Sequence, residues 1–444
     1  MMKRLLTADV VLTLDHPDHI YRPGYVLIEG ERIAALGPRD EWKGASDETF
    51  DLGGRLVMPG LVNAHTHSPM VLLRGLAEGQ SLLTWEGWYH AVRRWEQVMD
   101  SDMIPPAVLV SCAEMIRTGT TCFADQYFFT DRIVPAVRQS GLRAAIAYGI
   151  VEMGDPAARK GELAAAAMFL QMVQGEARIR GWVGPHAFFV DNSPAAIQME
   201  LELADRFHTG LHIHLATSGE EEAYCRSHFG RSAIQQMEVL GVLNRPLIAA
   251  HCITIPDADF EALASHAFTA VIAGSACMRS GADIAPLKAL RAAGVNTALG
   301  TDNVTNNNSY DLFHEMQIVG KLMSLREHQP AAISARDLLE MATMGGARAL
   351  GLQDRIGSLE VGKQADLIAL DYTGIGWAPD PAQDLYTALV YAVSGLHVRE
   401  VLVDGQWLML DGKLQTIDYA AARSDLNQAC RELQKRSPAA KESR

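Results

Sequence analysis

Eight short β-rich runs alternate with amphipathic stretches between residues 55 and 356, and this alternation predicts an α/β fold, a (β/α)8 or TIM barrel. The runs are RLVMPGLVNAHTH, TTCFADQ, RAAIAYGI, IRGWVGPHA, GLHIHLA, LIAAHCI, TAVIAGS and NTALGTDN. Stretches such as AIQMELELADRF and SARDLLEMATMGGARALGL have helical apolar periodicity. A doubly wound sheet is the alternative, but the eight units carry no Gly-rich phosphate-binding fingerprint, which favours the barrel.

The two chain ends differ from the barrel segment, because apolar and polar residues alternate there with the period of β-strands. Residues 1–54 include DVVLTL and GYVLIEGERIAALG, and residues 357–417 include GSLEVGKQADLIALD and VREVLVDGQWLMLDGKL. Neither segment has enough apolar surface to fold alone. We therefore expect them to pair into one small composite β-sandwich beside the barrel of residues 55–356. Residues 418–444 are predicted to form a charged C-terminal helical tail.

The composition is that of an ordinary folded protein, since 48% of the 444 residues are hydrophobic and 21% are charged. The net charge of -14 argues against a nucleic-acid partner, which would require a basic face. No run of about 18 apolar residues occurs, so we expect no membrane span. The six cysteines are scattered without a C-x-x-C pair, which is typical of a reducing compartment, and the expected location is cytoplasmic.

Five of the eight predicted strands carry a histidine or an aspartate at the carboxyl end, where a (β/α)8 barrel has its active site. These residues are His65 and His67 on the first strand, His186 on the fourth, His214 on the fifth, His251 on the sixth and Asp302 on the eighth. Both imidazoles of the His65-x-His67 pair point the same way, because alternate residues of a strand share a face. His212 shares the face of His214 but lies one layer deeper, where a packed barrel histidine is expected.

Each of these residues also has a purely structural interpretation. A lone histidine such as His186 or His251 is often a hydrogen-bonded core residue, and Asp302 could cap a helix that begins in NNNSYDLF. The combination of strand ends nevertheless predicts a metal site, and three imidazoles with one carboxylate suit Zn(II) or Fe(II). None of the eight runs contains a lysine that could bridge two ions after carboxylation. We therefore expect one divalent metal ion, zinc in the first place and iron as the alternative.

Six motifs spread over nearly the whole chain fall in order on the predicted strand ends and in the C-terminal segment. They are VMPGLVNAHTHSPMVLLRGL, GPHAFF, HIHLATSGEEE, AAHCIT, LGTDN and IGSLEVGKQADLIALD. Together they resemble the amidohydrolase superfamily. Within it they are most similar to the branch of cytosine, guanine and S-adenosylhomocysteine deaminases and triazine chlorohydrolases. A homodimer is compatible with this resemblance, and no sequence feature indicates one.

The resemblance implies a role for each of the strand-end residues. The metal ligands would be His65, His67, His214 and Asp302. His251 would hydrogen-bond the water that attacks the substrate, Asp302 would also act as the base that takes its proton, and His186 would contact the substrate. The chemistry agrees, because a metal can lower the pKa of bound water to about 7 and an adjacent carboxylate can then accept the proton.

Two positions depart from the pattern of that branch. The deaminases carry a glutamate where Thr217 stands, and this glutamate protonates a ring nitrogen of the substrate. A threonine hydroxyl is far too weak an acid for that step at neutral pH. After the seventh strand the relatives often have a His-x-Pro-x-Ser-Asn run, whereas Ile272 stands at the position of the histidine here. Substrate contacts on that side therefore do not transfer to this chain.

Aromatic residues in the loops near the predicted mouth are candidates for holding a flat heterocycle. Trp85 and Phe188 are the predicted substrate contacts among them, although aromatic residues in such loops are often simple packing. Asn303, directly after Asp302, is a further predicted substrate contact. The simplest interpretation of the carboxylates of residues 220–222 is a solvent-exposed helix start. The alternative is that one of them folds back and replaces the missing acid.

The expected function is that of a mononuclear metal hydrolase acting on a C–N bond of a small N-heterocycle, with release of ammonia. The alternative is chemistry that needs no protonated ring nitrogen. Hydrolysis of a cyclic amide is one case, because its charge develops on an oxygen that the metal stabilises, and displacement of chloride from a triazine is another. A non-catalytic metabolite-binding homologue is the third interpretation, and the retained ligand set argues against it.

Overall fold

The computed structural model describes residues 2–16, 18–187, 193–379 and 384–436. Its strands are β1 (Lys3–Leu12), β2 (Ile20–Tyr21), β3 (Gly24–Glu29), β4 (Arg32–Pro38), β5 (Glu48–Pro59), β6 (Leu61–Thr66), β7 (Thr120–Tyr127), β8 (Arg143–Ile150), β9 (Ile179–Pro185), β10 (Leu211–Leu215), β11 (Leu247–His251), β12 (Phe268–Ile272), β13 (Asn296–Leu299), β14 (Leu367–Asp371), β15 (Val398–Val403), β16 (Gln406–Leu410) and β17 (Lys413–Leu414).

Helices follow most of the central strands, and further helices lie at the pocket and near the C-terminus. They are α1 (Trp85–Trp88), α2 (Arg94–Glu96), α3 (Ile104–Arg117), α4 (Thr130–Ser140), α5 (Pro156–Met172), α6 (Pro194–Phe207), α7 (Gly219–Phe229), α8 (Ala233–Leu240), α9 (Phe260–Ala264), α10 (Gly274–Arg279), α11 (Leu287–Ala292), α12 (Leu312–Glu327), α13 (Ala335–Glu340), α14 (Gly346–Ala349), α15 (Leu385–Tyr391) and α16 (Tyr419–Lys435). None of the helices in the described ranges is long and apolar enough to cross a bilayer.

Strands β6 to β13 form one parallel sheet in chain order, which confirms the predicted (β/α)8 barrel. The ring closes where Thr66, at the end of β6, bridges to Asp302 after β13. Asn63 on β6 supports the closure, because its side chain accepts a hydrogen bond from the Thr301 backbone N–H at 3.0 Å and donates one to the Thr301 hydroxyl at 2.8 Å. Closure brings the carboxyl ends of the first and last barrel strands together.

The chain ends pair as expected, into one mixed sheet of nine strands in the order β17-β16-β15-β14-β5-β1-β3-β4, with β2 paired to β1. The run from 55 to 67, expected as one barrel strand, divides at Gly60. Its first part ends β5 in the terminal sheet, and its second part is β6 of the barrel. A Cβ at Gly60 would lie 2.1 Å from Oγ1 of Thr121 on β7, so this close approach requires glycine.

Aspartate side chains cap two of the helices, α12 after the barrel and α16 at the C-terminus. Asp311, in the loop after Asp302, caps α12 by accepting hydrogen bonds from the backbone N–H groups of Phe313 at 2.9 Å and of His314 at 3.4 Å. The helix cap in this loop is therefore Asp311 rather than Asp302. At the C-terminus, Asp418 caps α16, and this helix packs against α3.

A buried charge network joins the barrel to the terminal sheet. The Arg143 guanidinium, on β8, donates hydrogen bonds to both carboxylate oxygens of Asp366 at 2.9 and 3.1 Å and also contacts Asp404. Arg178 donates to the second oxygen of Asp404 at 3.0 Å. Arg143 is only 1% exposed. Charges at this depth are tolerated because each one has an opposite partner.

We expect Arg143→Met to lower the free energy of unfolding by about 3–5 kcal/mol, because removing one member of a buried network leaves charged partners uncompensated. Urea denaturation followed by circular dichroism measures the change. The matched control is Arg245→Met, which removes a guanidinium paired with the exposed Asp205 and should leave stability near the wild-type value. Equal losses in the two variants would contradict the role of the network.

Candidate metal centre and active site

Four side chains converge at the carboxyl end of the barrel. They are His65, His67, His214 and Asp302, and their potential ligand atoms all lie within 4.8 Å of one another. Oδ1 of Asp302 is 3.3 Å from Nε2 of His65 and 3.3 Å from Nε2 of His67. Nε2 of His214 is 3.2 Å from Nε2 of His67. The structure thus brings together the four residues that the sequence predicts as metal ligands.

The backbone explains why these residues meet. His65 lies on β6 and His67 follows its last residue, Thr66, so the extended backbone places both side chains on the same face, in one cluster. Asp302 adopts a φ of 57°, a left-handed conformation that aspartate tolerates better than most residues. Its N–H donates to the His65 carbonyl at 2.9 Å, which fixes the turn after β13 and places the carboxylate beside the two imidazoles.

The far ring nitrogen of each ligand histidine has its own partner. Nδ1 of His67 lies 2.6 Å from the Gln126 carbonyl oxygen, and Nδ1 of His214 lies 2.8 Å from the His186 carbonyl oxygen. Nδ1 of His65 lies 2.8 Å from Nε2 of His212, which sits one layer deeper, as expected. Such contacts fix the ring orientation and direct the Nε2 lone pairs towards a common point.

The donor set fits a divalent metal ion. Nε2 of His65 and Oδ1 of Asp302 are buried and have no hydrogen-bond partner among the described residues, and a bound cation would satisfy both. Burial alone would raise the pKa of the Asp302 carboxyl, but the His65 and His67 rings hold that pKa well below its ordinary value. Burial also holds the pKa of His214 well below its ordinary value. A neutral imidazole and an ionised carboxylate are the forms that bind metal.

His251 completes the polar floor of the site from the end of β11. It is 2% exposed, and its ring stacks on that of His214 with centroids 5.5 Å apart and planes inclined by 19°. Burial lowers the pKa of its imidazole, which favours the neutral form. Its φ of 78° shows a turn directly after the strand, and this turn places the ring at the pocket rather than in the barrel wall.

A cavity opens above this floor at the carboxyl end of the barrel. Four of the predicted substrate contacts line it, namely His186, Thr217, Asn303 and Trp85. Trp88 lines it as well and lies over the His186 ring, with the ring centroids 4.9 Å apart. The fifth predicted contact, Phe188, lies outside the described residues.

Comparison with known proteins identifies the family. Residues 56–408 match the amidohydrolase family. The chain belongs to the amidohydrolase family. The match runs from the last part of β5 to β16 and therefore includes both the barrel and much of the terminal sheet. The resemblance in the motifs is confirmed, and this amidohydrolase is a hydrolase that acts on C–N bonds.

Several relatives of this amidohydrolase have stated activities. It is 35% identical over 419 residues to the 5-methylthioadenosine/S-adenosylhomocysteine deaminase of Desulforudis audaxviator, covering 92% of this chain and 95% of the relative. It is 34% identical over 426 residues to the 5'-deoxyadenosine deaminase of Methanosarcina barkeri, covering 95% and 96%. A zinc-bound adenosine deaminase structure from Xanthomonas campestris superposes with a TM-score of 0.91 at 30% identity, covering 98% of this chain and 99% of that chain.

Glu96 is a pocket residue of this amidohydrolase that the sequence did not reveal. It ends the short helix α2, is 9% exposed and lines the cavity together with Tyr127. The Arg93 guanidinium lies 3.3 Å from its carboxylate. Glu96 lies far along the chain from any strand end, so the pattern of residues at the strand ends does not predict it as a site residue. The cluster of aromatic residues around it, TWEGWYHAVRRWEQ, is the one signal that could have indicated a pocket wall.

The three glutamates after Thr217 have separate partners. Glu220 accepts a hydrogen bond from the Trp85 backbone N–H at 3.1 Å, and Glu222 accepts one from the Ala233 backbone N–H at 3.1 Å. Glu221 instead folds back and accepts hydrogen bonds from the N–H of Thr217 at 2.9 Å and from its hydroxyl at 3.4 Å. Of the three carboxylates, Glu221 is therefore the one in contact with the position where related deaminases carry their acid.

The seventh strand of the amidohydrolase ends without a polar residue facing the cavity. Ile272 is 1% exposed and does not line the pocket. The helix α10 follows at once, and Ser275 in its first turn donates hydrogen bonds to the buried carboxylate of Glu315 from its N–H at 3.0 Å and from its hydroxyl at 2.5 Å. Among the described residues, the cavity is therefore lined from the other strand ends, and the end of the seventh strand is held by the contact of Ser275 with Glu315.

Proposed function

We propose that the protein is a zinc-dependent deaminase of adenosine-type nucleosides with an uncharged 5′ substituent. The observation that carries this proposal is the pocket itself, which is lined by members of the His and Asp cluster and also by the buried Glu96. The similarity to deaminases of 5-methylthioadenosine and 5'-deoxyadenosine supports the same class of substrate.

His65, His67, His214 and Asp302 would hold a single ion. Zinc is favoured because three imidazoles and one carboxylate suit it, and because the similar adenosine deaminase from Xanthomonas campestris has bound zinc. One ion is expected because none of the barrel strands provides a lysine that could bridge a second one. When bound, the ion supplies Lewis-acid activation of water at neutral pH.

The remaining steps belong to the chain's own side chains. The Asp302 carboxylate accepts a proton from the attacking water and later returns it to the departing amine. The His251 imidazole hydrogen-bonds that water and holds it against the carbon that bears the amine. His186 and Asn303 line the pocket beside the cluster and contact the heterocycle, while Trp85 and Trp88 form an aromatic wall at the mouth. These assignments agree with the positions of all six side chains around one cavity.

Glu96 supplies the recognition of the sugar. A carboxylate has two acceptor oxygens and can take a hydrogen bond from each of two neighbouring hydroxyl groups. The 2′- and 3′-hydroxyls of a ribose present such a pair, whereas a free base or a triazine does not. A buried carboxylate in a largely apolar pocket therefore favours a nucleoside over a bare heterocycle.

The test is an ammonia-release assay with 5'-deoxyadenosine, 5-methylthioadenosine and S-adenosylhomocysteine. We expect kcat/KM for the first two to exceed that for the third by at least about tenfold, because the third has an amino-acid tail that ends in a carboxylate. The described residues that line the pocket include the acidic Glu96 and Asp302 but no lysine or arginine, and burying an unpaired carboxylate is costly. A preference for S-adenosylhomocysteine would contradict the assignment of an uncharged tail, and no turnover of any nucleoside would contradict the deaminase.

Thr217 favours one further candidate, hydrolysis at a carbon whose neighbouring ring nitrogen needs no proton. A cyclic amide develops its charge on oxygen, and a chlorotriazine releases chloride without a proton. The same screen, extended to one cyclic amide and one chlorotriazine, separates the candidates. Turnover of either compound with no ammonia released from nucleosides would replace the deaminase as the proposed function.

A further inference from the structure

We propose that Glu221 is the proton donor for the substrate ring nitrogen and that it acts through the Thr217 hydroxyl group. This inference rests on the proposed deaminase function. In related deaminases the acid stands three positions after the last metal-binding histidine of the strand, where this chain has Thr217. Here the acid would be Glu221, seven positions after His214, and the Thr217 hydroxyl would pass its proton to the pocket.

The contacts support this order of groups. Thr217 lines the cavity, whereas Glu221 does not. The hydroxyl of Thr217 is 3.4 Å from Oε2 of Glu221, so the two groups form a short chain from the cavity into the protein. A hydroxyl group can accept one proton while donating another, which is the property that a relay requires. Thr217 alone is too weak an acid, and Glu221 alone does not reach the cavity.

The surroundings of Glu221 favour its protonated form more than those of an exposed glutamate would. It is 1% exposed, and burial raises the pKa of its carboxyl to about 7, although the Thr217 N–H opposes that rise. The other ionisable groups that face it are Glu222 and Cys225 on α7 and Cys252 after β11. Burial raises the pKa of both thiols far above neutral, so neither is charged. No basic group thus offsets the burial of the carboxyl among the residues that influence it.

A structural role alone does not account for one feature of this carboxyl. Oε2 accepts both hydrogen bonds from Thr217, which would be enough to hold the turn before α7. Oε1 is buried without a hydrogen-bond partner among the described residues. A buried oxygen without a partner costs less on a neutral carboxyl than on a charged carboxylate. The proton that the relay passes on is carried by Oε2, the oxygen 3.4 Å from the Thr217 hydroxyl, and the hydroxyl then accepts from Oε2 instead of donating to it.

The proton count balances for deamination. Glu221 gives its proton to the oxygen of Thr217 as the threonine proton moves to the ring nitrogen, while water adds its oxygen to the neighbouring carbon and its proton goes to Asp302. The C–N bond then breaks, Asp302 returns its proton to the amine and ammonia leaves. The hydroxyl proton on the new C–O group is released as the carbonyl forms, and Glu221 takes up one proton from solvent. The net reaction consumes one water and releases one ammonia.

The experiment compares Glu221→Gln, Thr217→Val and Thr217→Ser with 5'-deoxyadenosine as the substrate, at pH values from about 5.5 to 9. Glutamine keeps an oxygen for the Thr217 N–H but cannot donate an acidic proton, valine keeps the shape of threonine without its hydroxyl, and serine keeps the hydroxyl. Glu222→Gln is the matched control, because it removes the neighbouring charge at a residue that pairs with Arg226 outside the pocket. Thermal melting confirms that each variant is folded.

We expect Glu221→Gln and Thr217→Val each to lower kcat by about 10²-fold or more, which is a typical contribution of general acid catalysis. The double variant should be no slower than either single one, because both changes interrupt the same relay. Thr217→Ser, which keeps the hydroxyl, should retain more of the wild-type kcat than Thr217→Val does, and Glu222→Gln should stay close to the wild type. The wild-type kcat should fall as pH rises through about 7, since the donor must be protonated, and this fall should be missing in Glu221→Gln.

Several outcomes would overturn the inference, and they differ from a failure of the proposed function. If the wild type releases ammonia but Glu221→Gln keeps its kcat and its pH profile, the relay is wrong and the deaminase stands. Additive losses in the double variant would mean that the two residues act separately. Should Glu221→Gln not fold, an undiminished kcat in Thr217→Val would reject the relay. If the wild type releases no ammonia from any nucleoside, both proposals fail together.

Discussion

Asp302→Asn is expected to reduce turnover by at least about 10³-fold while the fold stays intact. Asparagine has nearly the same shape and keeps one oxygen near the imidazoles, but it cannot accept the proton of the attacking water and brings no negative charge to the metal site. General base catalysis alone is commonly worth about 10²- to 10⁴-fold, and weaker metal binding adds to the loss. The expected effect is therefore on kcat rather than on KM.

Metal analysis and kinetics test this together. The wild type should contain about one equivalent of zinc per chain, as expected of one four-ligand site, and Asp302→Asn should contain less. The matched control is Asp311→Asn in the same loop, because asparagine caps a helix as well as aspartate does and Asp311 does not line the cavity. Two tightly held ions per chain, or full turnover in Asp302→Asn, would refute the mononuclear mechanism.

Glu96→Leu is expected to lower kcat/KM for 5'-deoxyadenosine by about 10²- to 10⁴-fold. A hydrogen bond to a charged group contributes about 1.5–3 kcal/mol, and the carboxylate can accept two of them from a ribose. The loss should fall on substrate binding and positioning, because Glu96 is not one of the four clustered metal ligands. Metal content should therefore stay at the wild-type value.

A substrate change provides the control for Glu96. The 2′-deoxy analogue of the substrate lacks one of the two hydroxyls, so it should react more slowly than the parent with the wild type and nearly as fast as the parent with Glu96→Leu. The coupling between residue and hydroxyl group is then measured directly. If the variant discriminates between the two nucleosides as strongly as the wild type does, Glu96 does not bind the sugar.

The barrel and its metal site could be predicted from sequence because both depend on local periodicity. His65 and His67 are two residues apart on a strand, and a period of two places them on one face whatever the rest of the chain does. His214, His251 and Asp302 follow the same rule at other strand ends. Parallel strands in a closed barrel bring those ends together, so the cluster follows from topology alone.

Other features depend on tertiary packing that periodicity does not encode. Glu96 lies in the segment of more than thirty residues between β6 and α3, which includes α1 and α2 and contributes several residues to the cavity lining. The sequence from 55 to 67 looks like one strand, but it divides between two sheets at Gly60, where the Thr121 side chain packs closely against the backbone. The contact of Glu221 with Thr217 is set by the turn before α7, and the sequence alone could not choose among three adjacent glutamates.

The terminal sheet has a consequence for the order of events during synthesis. Strand β5 pairs with β1 in parallel, and its register also matches Met58 to Ile368 on β14. Strand β14, which pairs with this edge of β5, leaves the ribosome only after the whole barrel has been translated. Until then, the nascent chain has an open strand edge beside the barrel, and pairing across such a long loop is slow. An unpaired edge invites pairing with other chains, so chaperone binding to nascent chains should be strongest before residue 371 emerges.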